Sequence, residues 1–137
     1  MSIYPPYAGA GVRVRRLAGD PPGFEARMPL RFWNANYYGT HFGGSLYSMC
    51  DPFFVLILAP ALGDGYAVWD KVATIRFRRP GRGLVRARFE ISRERVEEIR
   101  QLADRDGKAE PLFTAEVRDA AGELVAEVEK LISVRRR

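Results

Sequence analysis

The chain has 137 residues, of which 47% are hydrophobic, and this length suits one compact domain with its own core. Its 22 Lys and Arg against 17 Asp and Glu give a net charge of +5, which favours anionic partners without choosing among them. The single cysteine excludes an intramolecular disulfide, and the single histidine excludes a multi-histidine metal site. We therefore expect a single domain over residues 1–137 that binds no metal.

Alternating residues predict two strands near the start of the chain. Val12 and Val14 alternate with arginines, and after a turn at residues 20–23 a second alternation runs from Phe24 to Leu30. The sequence begins without the basic start and long apolar run of a secretory signal, and residues 52–62, the longest apolar stretch, are too few to span a bilayer. We expect a cytoplasmic protein that is not associated with a membrane.

The apolar block from about Gly44 to Leu62 predicts a buried helix, because it is apolar on all sides. Pro52 predicts a kink in this helix, since proline donates no backbone hydrogen bond and restricts the residue before it. Asp51 interrupts the block about two turns after Gly44 and therefore on the same side of the helix. A carboxylate buried there needs a partner, so Asp51 is the first candidate functional residue.

The second half of the sequence predicts four strands and one more helix. Alternation from Tyr66 to Phe77 and from Val85 to Ile91 indicates an antiparallel pair, and Ser92 caps a short amphipathic helix. Two last strands have inward apolar residues at 113–117 and 124–134. The complete order predicts an α+β fold in which an antiparallel sheet is wrapped around a long central helix.

The same elements resemble the hotdog superfamily of acyl-CoA thioesterases over nearly the whole chain. Residues 39–44 resemble the His-Gly-Gly turn into the central helix of that family, and Asp51 stands where phenylacetyl-CoA-type members place a catalytic carboxylate. Residues 42–47, taken together with 51–53, 69–71 and the strand that contains Lys130, look like a thioesterase-like branch classified mainly as a domain of unknown function.

The resemblance implies a hydrolytic site. Gly43 and Gly44 would offer backbone N–H groups to the thioester carbonyl, Asp51 would activate water or attack the thioester, and Asn36 would orient the water or the carbonyl. The alternatives are that the glycines only allow close helix packing, and that Asp51 caps the backbone near Pro52 or pairs with a lysine.

The sequence also departs from the family pattern. Phe42 directly precedes the glycine pair, and His41 comes one place earlier, so the imidazole can turn away from the pocket. We assign His41, Phe42 and Tyr47 to substrate contact, against the alternatives of a loop histidine and plain core aromatics. Because a histidine with a carboxylate is what a dehydratase needs, the displaced His41 disfavours that activity.

Basic residues are the candidates for the phosphates of coenzyme A. Arg79 and Arg82 lie at a turn between strands, although arginines in such positions are often solvated or make subunit contacts. Lys71 and Lys130 fall in the inward register of their strands, so we expect at least one of them to pair with Asp51 or with a phosphate, unless both extend to water. Pairing would make Asp51 a poorer proton acceptor and would favour binding over catalysis.

Hotdog enzymes build their pockets between subunits, so the resemblance implies a homodimer or homotetramer. The expected function is hydrolysis of an acyl-CoA thioester, with acyl-CoA as substrate or ligand and no other cofactor. The alternative is a non-catalytic hotdog protein that binds acyl-CoA or a fatty ligand. Beyond the charge, nothing in the sequence indicates nucleic-acid binding.

Overall fold

A computed structural model describes residues 12–29, 50–81 and 83–137 of the protein. These residues form seven strands and two helices. In chain order the elements are β1 (Arg13–Leu17), β2 (Gly23–Met28), α1 (Phe53–Leu62), β3 (Tyr66–Phe77), β4 (Val85–Phe89), α2 (Arg93–Asp106), β5 (Lys108–Ala109), β6 (Leu112–Asp119) and β7 (Leu124–Arg136).

The seven strands form one sheet in which every pairing is antiparallel. The order across the sheet is β1-β2-β4-β6-β7-β3, and the short β5 also pairs with β7. Among the described strands, β1 and β3 are therefore at the edges. The prediction that the strands at 66–77 and 85–91 pair with each other is wrong, because β3 pairs with β7 and β4 pairs with β2 and β6. The predicted α+β class with an antiparallel sheet is confirmed.

Helix α1 packs on the inner face of the sheet through aromatic side chains. The Phe53 ring stacks on Phe89 with the ring centroids 4.8 Å apart. The Phe54 ring meets Phe89 edge-on at 5.3 Å and stacks on Phe113 at 5.1 Å. Such ring pairs stabilise a core beyond the burial of their area, so they fix where α1 begins relative to β4 and β6.

The helix is shorter than the sequence pattern predicts. Residues 50–52 form a turn and a bend, and α1 begins at Phe53 and has ten residues. The physical reason is Pro52, which lacks a backbone donor and disfavours helical dihedrals at Asp51. The prediction of a helix that continues through Asp51 is wrong, and the described residues do not form a long central helix. Residues 44–49 lie outside the described residues.

Helix α2 follows its predicted pattern and is bonded to the end of α1. The Ser92 side chain accepts a hydrogen bond from the Arg95 backbone N–H at 3.1 Å, which is the expected N-cap. The Arg100 guanidinium donates to the carbonyls of Ala61 and Leu62, each at 3.0 Å. Because the last carbonyls of a helix lack partners within it, this arginine stabilises the C-terminus of α1.

No helix in the described ranges combines the length and apolar character needed to cross a membrane.

Candidate functional site

The structure brings together Asp51, Lys130 and Asp70, which we call the carboxylate–lysine cluster. Lys130 Nζ donates a hydrogen bond to Asp51 Oδ1 at 2.7 Å and to Asp70 Oδ2 at 3.5 Å. The three residues come from the bend before α1, from β7 and from β3. The fold therefore assembles the cluster from positions that are far apart in sequence.

Lys130 lies on the inner face of the sheet, as its register predicts. Its neighbours on that face of β7, Val128 and Ile132, are fully buried, and Lys130 itself is only 1% exposed. Burying an ammonium group costs several kcal/mol unless counter-charges and hydrogen bonds compensate. The two carboxylates supply such compensation, so the hypothesis that a lysine pairs with Asp51 is confirmed for Lys130.

The carboxylates lie at the border between the core and solvent. The side chains of Asp51 and Asp70 are 44% and 33% exposed, whereas that of Lys130 is 2% exposed. Within the described part of the chain, Asp51 Oδ2 has no hydrogen-bond partner, because the contact with Lys130 uses Oδ1. Asp51 therefore has one oxygen held by Lys130, and its side chain is partly accessible to solvent.

A β-bulge explains why Asp70 belongs to the cluster. Asp70 pairs with Ile132 and Val72 pairs with Leu131, so the register shifts and Lys71 is an extra residue in β3. Up to Asp70 the even-numbered residues share the face of Lys130, and after the bulge the odd-numbered residues do. The period-two pattern predicts a single face for the whole of β3, and this prediction is wrong across the bulge.

Lys71 consequently lies outside the cluster. Its Nζ donates to Glu110 Oε1 at 2.8 Å, and both side chains are substantially exposed, at 49% and 35%. The hydrogen bond from Lys71 is the main cause that lowers the pKa of the Glu110 carboxyl. The prediction that Lys71 points inward with the apolar residues of β3 is wrong.

Cys50 precedes Asp51 and is fully buried. Burial raises the pKa of its thiol to about 12, while Lys130 has a smaller lowering effect and Asp51 a smaller raising effect. A thiol with such a pKa is almost wholly protonated at neutral pH and is a poor nucleophile. Of the two adjacent residues, Asp51 therefore stays the candidate functional group, and the Cys50 thiol does not.

Arg79 forms an ion pair away from the cluster. Its guanidinium lies 3.1 Å from Glu123 Oε2, and both side chains are more than half exposed. From Asp70 to the end of β3 at Phe77 the strand extends about 23 Å at 3.3 Å per residue. A molecule that contacts both Arg79 and the cluster must therefore be long. Phosphate binding by Arg79 stays a prediction.

The remaining predicted site residues lie outside the described residues. They are Asn36, His41, Phe42, Gly43, Gly44, Tyr47 and Arg82. Within the described ranges, no group of three or more His, Cys, Asp or Glu is arranged to hold a metal ion. Asp70 was not among the predicted site residues, since a bulge leaves no trace in the alternation of residue types.

Comparison with known proteins gives one family and several similar folds. The family model described as "Domain of unknown function (DUF4442)" matches residues 1–134. A search of curated proteins gave no significant match.

Three solved structures illustrate the structural similarity. A protein of unknown function from Pseudomonas aeruginosa, described as a probable thioesterase, is 26% identical with a TM-score of 0.84, covering 96% of this chain and 87% of that chain. A thioesterase from Haemophilus influenzae is 17% identical with a TM-score of 0.67, covering 94% and 81%. A protein of unknown function from Chlorobaculum tepidum is 18% identical with a TM-score of 0.78, covering 99% and 89%. The last two matches concern the fold alone.

Proposed function

Because the chain belongs to the DUF4442 family, whose model spans residues 1–134, and is similar to a probable thioesterase, we propose that it hydrolyses acyl-CoA thioesters. The observation that carries the proposal is the Asp51 carboxylate, which is hydrogen-bonded to buried Lys130 through one oxygen and belongs to a side chain that is 44% exposed. A carboxylate held in place at the edge of an apolar core is suited to attack on a thioester.

We favour a nucleophilic role for Asp51 and keep the general-base role as the alternative. Lys130 Nζ holds Asp51 Oδ1, and Oδ2 accepts no hydrogen bond from the described residues, so Oδ2 can bond to a thioester carbon. In the nucleophilic route Oδ2 bonds to the thioester carbon, the carbon–sulfur bond breaks, and the thiolate leaves and takes a proton from water. Water then cleaves the mixed anhydride, which releases the fatty acid and restores the Asp51 carboxylate.

Asp70 has a defined role in this route. When Asp51 is acylated it becomes neutral, and the buried Lys130 ammonium loses a counter-charge at 2.7 Å. Asp70 Oδ2, at 3.5 Å, keeps a negative charge beside the ammonium in the intermediate. Gly43, Gly44 and Asn36 are proposed to bind the carbonyl and water, and Arg79 and Arg82 to contact the phosphates.

The proposed site is completed by a second subunit of a homodimer. β3 has twelve residues, is an edge strand among those described, and exposes Val72 and Phe77 to 51% and 55%. A long edge strand with exposed apolar residues is a template for pairing with another chain. A partner along β3 would lie beside Asp70 and would cover the open side of the cluster. Pairing of such dimers into a homotetramer stays a prediction.

The second candidate function is binding of an acyl-CoA or a fatty ligand without turnover, and the Asp51–Lys130 ion pair specifically favours it. The experiment that separates the two measures thiol release from short, long and aryl acyl-CoA thioesters by purified protein, with calorimetric binding of the same compounds. Turnover supports the hydrolase, and binding with no thiol release supports the binding protein. Hydrolysis in ¹⁸O-water with mass spectrometry of the Asp51 peptide tests the nucleophilic route with water attacking the Asp51 carbon of the anhydride, because only that step places the label in Asp51.

A further inference from the structure

Four arginines lie side by side across the outer face of the sheet. Arg13 pairs with Arg27, Arg27 with Arg86, and Arg86 with Arg118, so one arginine from each of β1, β2, β4 and β6 occupies the same row. We call this row the arginine ladder. With strands about 4.8 Å apart, the ladder spans about 14 Å.

The arginine ladder is unfavourable for folding alone. Like charges directly opposite each other on neighbouring strands destabilise a sheet, and the ladder contains three such pairs. Nearby carboxylates offset only part of this repulsion between the arginines. Arg118 is bonded to Glu116, and Arg27 lies 3.8 Å from Glu25, but among the described residues Arg13 and Arg86 have no ion pair.

The whole outer face of these four strands carries excess positive charge. Two more arginines lie on the same face, each two residues after the ladder arginine of its strand: Arg15 in β1 and Arg88 in β4. With them the face has six arginines against three glutamates, Glu25, Glu90 and Glu116, which leaves a charge of +3. An external anion is the partner that such a face lacks.

A cleft opens at the ladder where two strands separate. β4 and β6 pair only at Val85–Asp119 and Arg86–Arg118, and a depression of about 420 Å³ lies beyond that point. Its rim carries Arg86, Arg88, Arg118 and Thr114, all donors, and the cleft is also bordered by Ala87 and Ala115, whose side chains are buried. This volume is in the range of small-molecule sites.

We propose that the arginine ladder and this cleft bind a small anion that carries two or more phosphate groups. Guanidinium groups bind phosphate through paired hydrogen bonds, and three of them line the cleft. Arg118 is bonded to Glu116 and to the Gly122 carbonyl, and Arg88 pairs with Glu90, so phosphate would compete with these contacts, whereas Arg86 has no ion pair among the described residues. The ladder continues to Arg27 and Arg13, so a ligand with further phosphates gains further contacts. The carboxylate Glu116 also lines the cleft, but it is already bonded to Arg118.

The phosphate site is separate from the carboxylate–lysine cluster. Arg86 and Arg118 alternate with buried Ala87 and Val117, which face the core on the side of Lys130. The ladder therefore lies on the opposite face of the sheet. The sheet separates a ligand bound at the ladder from Asp51. The inference is independent of the proposed hydrolase activity.

The test is calorimetric titration of the full chain with tripolyphosphate, orthophosphate and coenzyme A at about 50 mM salt. Tripolyphosphate is expected to bind with 1:1 stoichiometry and at least tenfold more tightly than orthophosphate. Replacing two ladder residues, Arg27→Ser with Arg86→Ser, is expected to weaken it at least tenfold. The matched control, Arg105→Ser with Arg136→Ser, removes the same charge elsewhere and is expected to change the affinity less than twofold.

The titration with coenzyme A tests whether coenzyme A is the molecule that carries the bound phosphates. Binding of coenzyme A that tripolyphosphate displaces, and that the ladder substitutions weaken, identifies coenzyme A; tripolyphosphate binding without coenzyme A binding identifies a different phosphorylated molecule. The ladder variant is also expected to keep or raise the Tm, because it removes like-charge neighbours.

Four results would overturn the proposal: no binding, several weak sites with equal losses in both double variants, a fall in Tm of the ladder variant, or a changed oligomeric state in that variant. Tighter binding of a single-stranded DNA oligomer through the same arginines would overturn it as well, in favour of a nucleic-acid surface.

Discussion

Removing the two carboxylate charges of the carboxylate–lysine cluster should destabilise the fold far more than removing the lysine charge. The double variant Asp51→Asn with Asp70→Asn keeps the shape of the cluster but takes both carboxylate charges from a lysine whose side chain is 2% exposed. Removing these two counter-charges from a buried ammonium costs about 3 to 5 kcal/mol. Since domains have only about 5 to 15 kcal/mol of unfolding free energy, this loss is large.

Lys130→Met removes the buried charge itself. The two carboxylates that remain are 44% and 33% exposed, so water solvates them, and methionine fills the space of the lysine chain. We expect the unfolding free energy to change by no more than about 1 kcal/mol, or to rise. Lys71→Met is the control, since its exposed pair with Glu110 should contribute nothing measurable.

The assay is urea unfolding followed by tryptophan fluorescence and circular dichroism, with the m-value compared among variants. Equal destabilisation by Lys130→Met and by the double carboxylate variant would contradict the claim that the carboxylates compensate a buried ammonium. Unfolding of the double variant at the same urea concentration as the parent would contradict it as well.

Three further predictions concern other parts of the molecule. Arg100→Met removes the two hydrogen bonds to the end of α1 and should lower the unfolding free energy by about 2 kcal/mol, whereas Arg95→Met should have little effect in the same urea titration. Burial raises the folded-state pKa of the Cys50 thiol from 9.0 to about 12, so its stabilising contribution is complete below pH 9. Between pH 9 and 12 the unfolding free energy should fall by up to about 1.4 kcal/mol per pH unit, because the unfolded thiol ionises first. Urea unfolding at several pH values should show a smaller fall for Cys50→Ala, and an equal fall in parent and variant would contradict the prediction. Phe77→Lys on the edge strand should weaken the proposed dimer at least tenfold in sedimentation or light scattering, while Leu112→Lys, an equally exposed apolar position on β6, should not.

The parts of the fold that follow from sequence are those in which one pattern continues without interruption. In β7, Val128, Lys130 and Ile132 alternate with half-buried residues, so the inward position of a charged lysine could be read directly. The Ser92 cap of α2 was equally readable, because a short polar side chain precedes an amphipathic stretch.

Local irregularities limited the rest. The bulge at Lys71 exchanges the two faces of β3, so alternation alone assigned Lys71 to the core and left Asp70 outside. Pro52 gave a clear signal, but a kink and a helix start are both consistent with it until the packing of Phe53 on Phe89 is known. Asp51 and Lys130 are 79 residues apart, and only the pairing of strands decides which lysine reaches the carboxylate.

The most direct test is the single-turnover rate of acyl-CoA hydrolysis by the parent, by Asp51→Asn and by Asp64→Asn, each shown to be folded at the assay temperature. Asp64 is an exposed carboxylate outside the cluster, so its variant should hydrolyse at the parental rate. Asp51→Asn should be slower by a factor of about 10² to 10⁴, because the attacking or water-activating carboxylate is gone. An Asp51→Asn protein that hydrolyses acyl-CoA as fast as the parent would contradict the account.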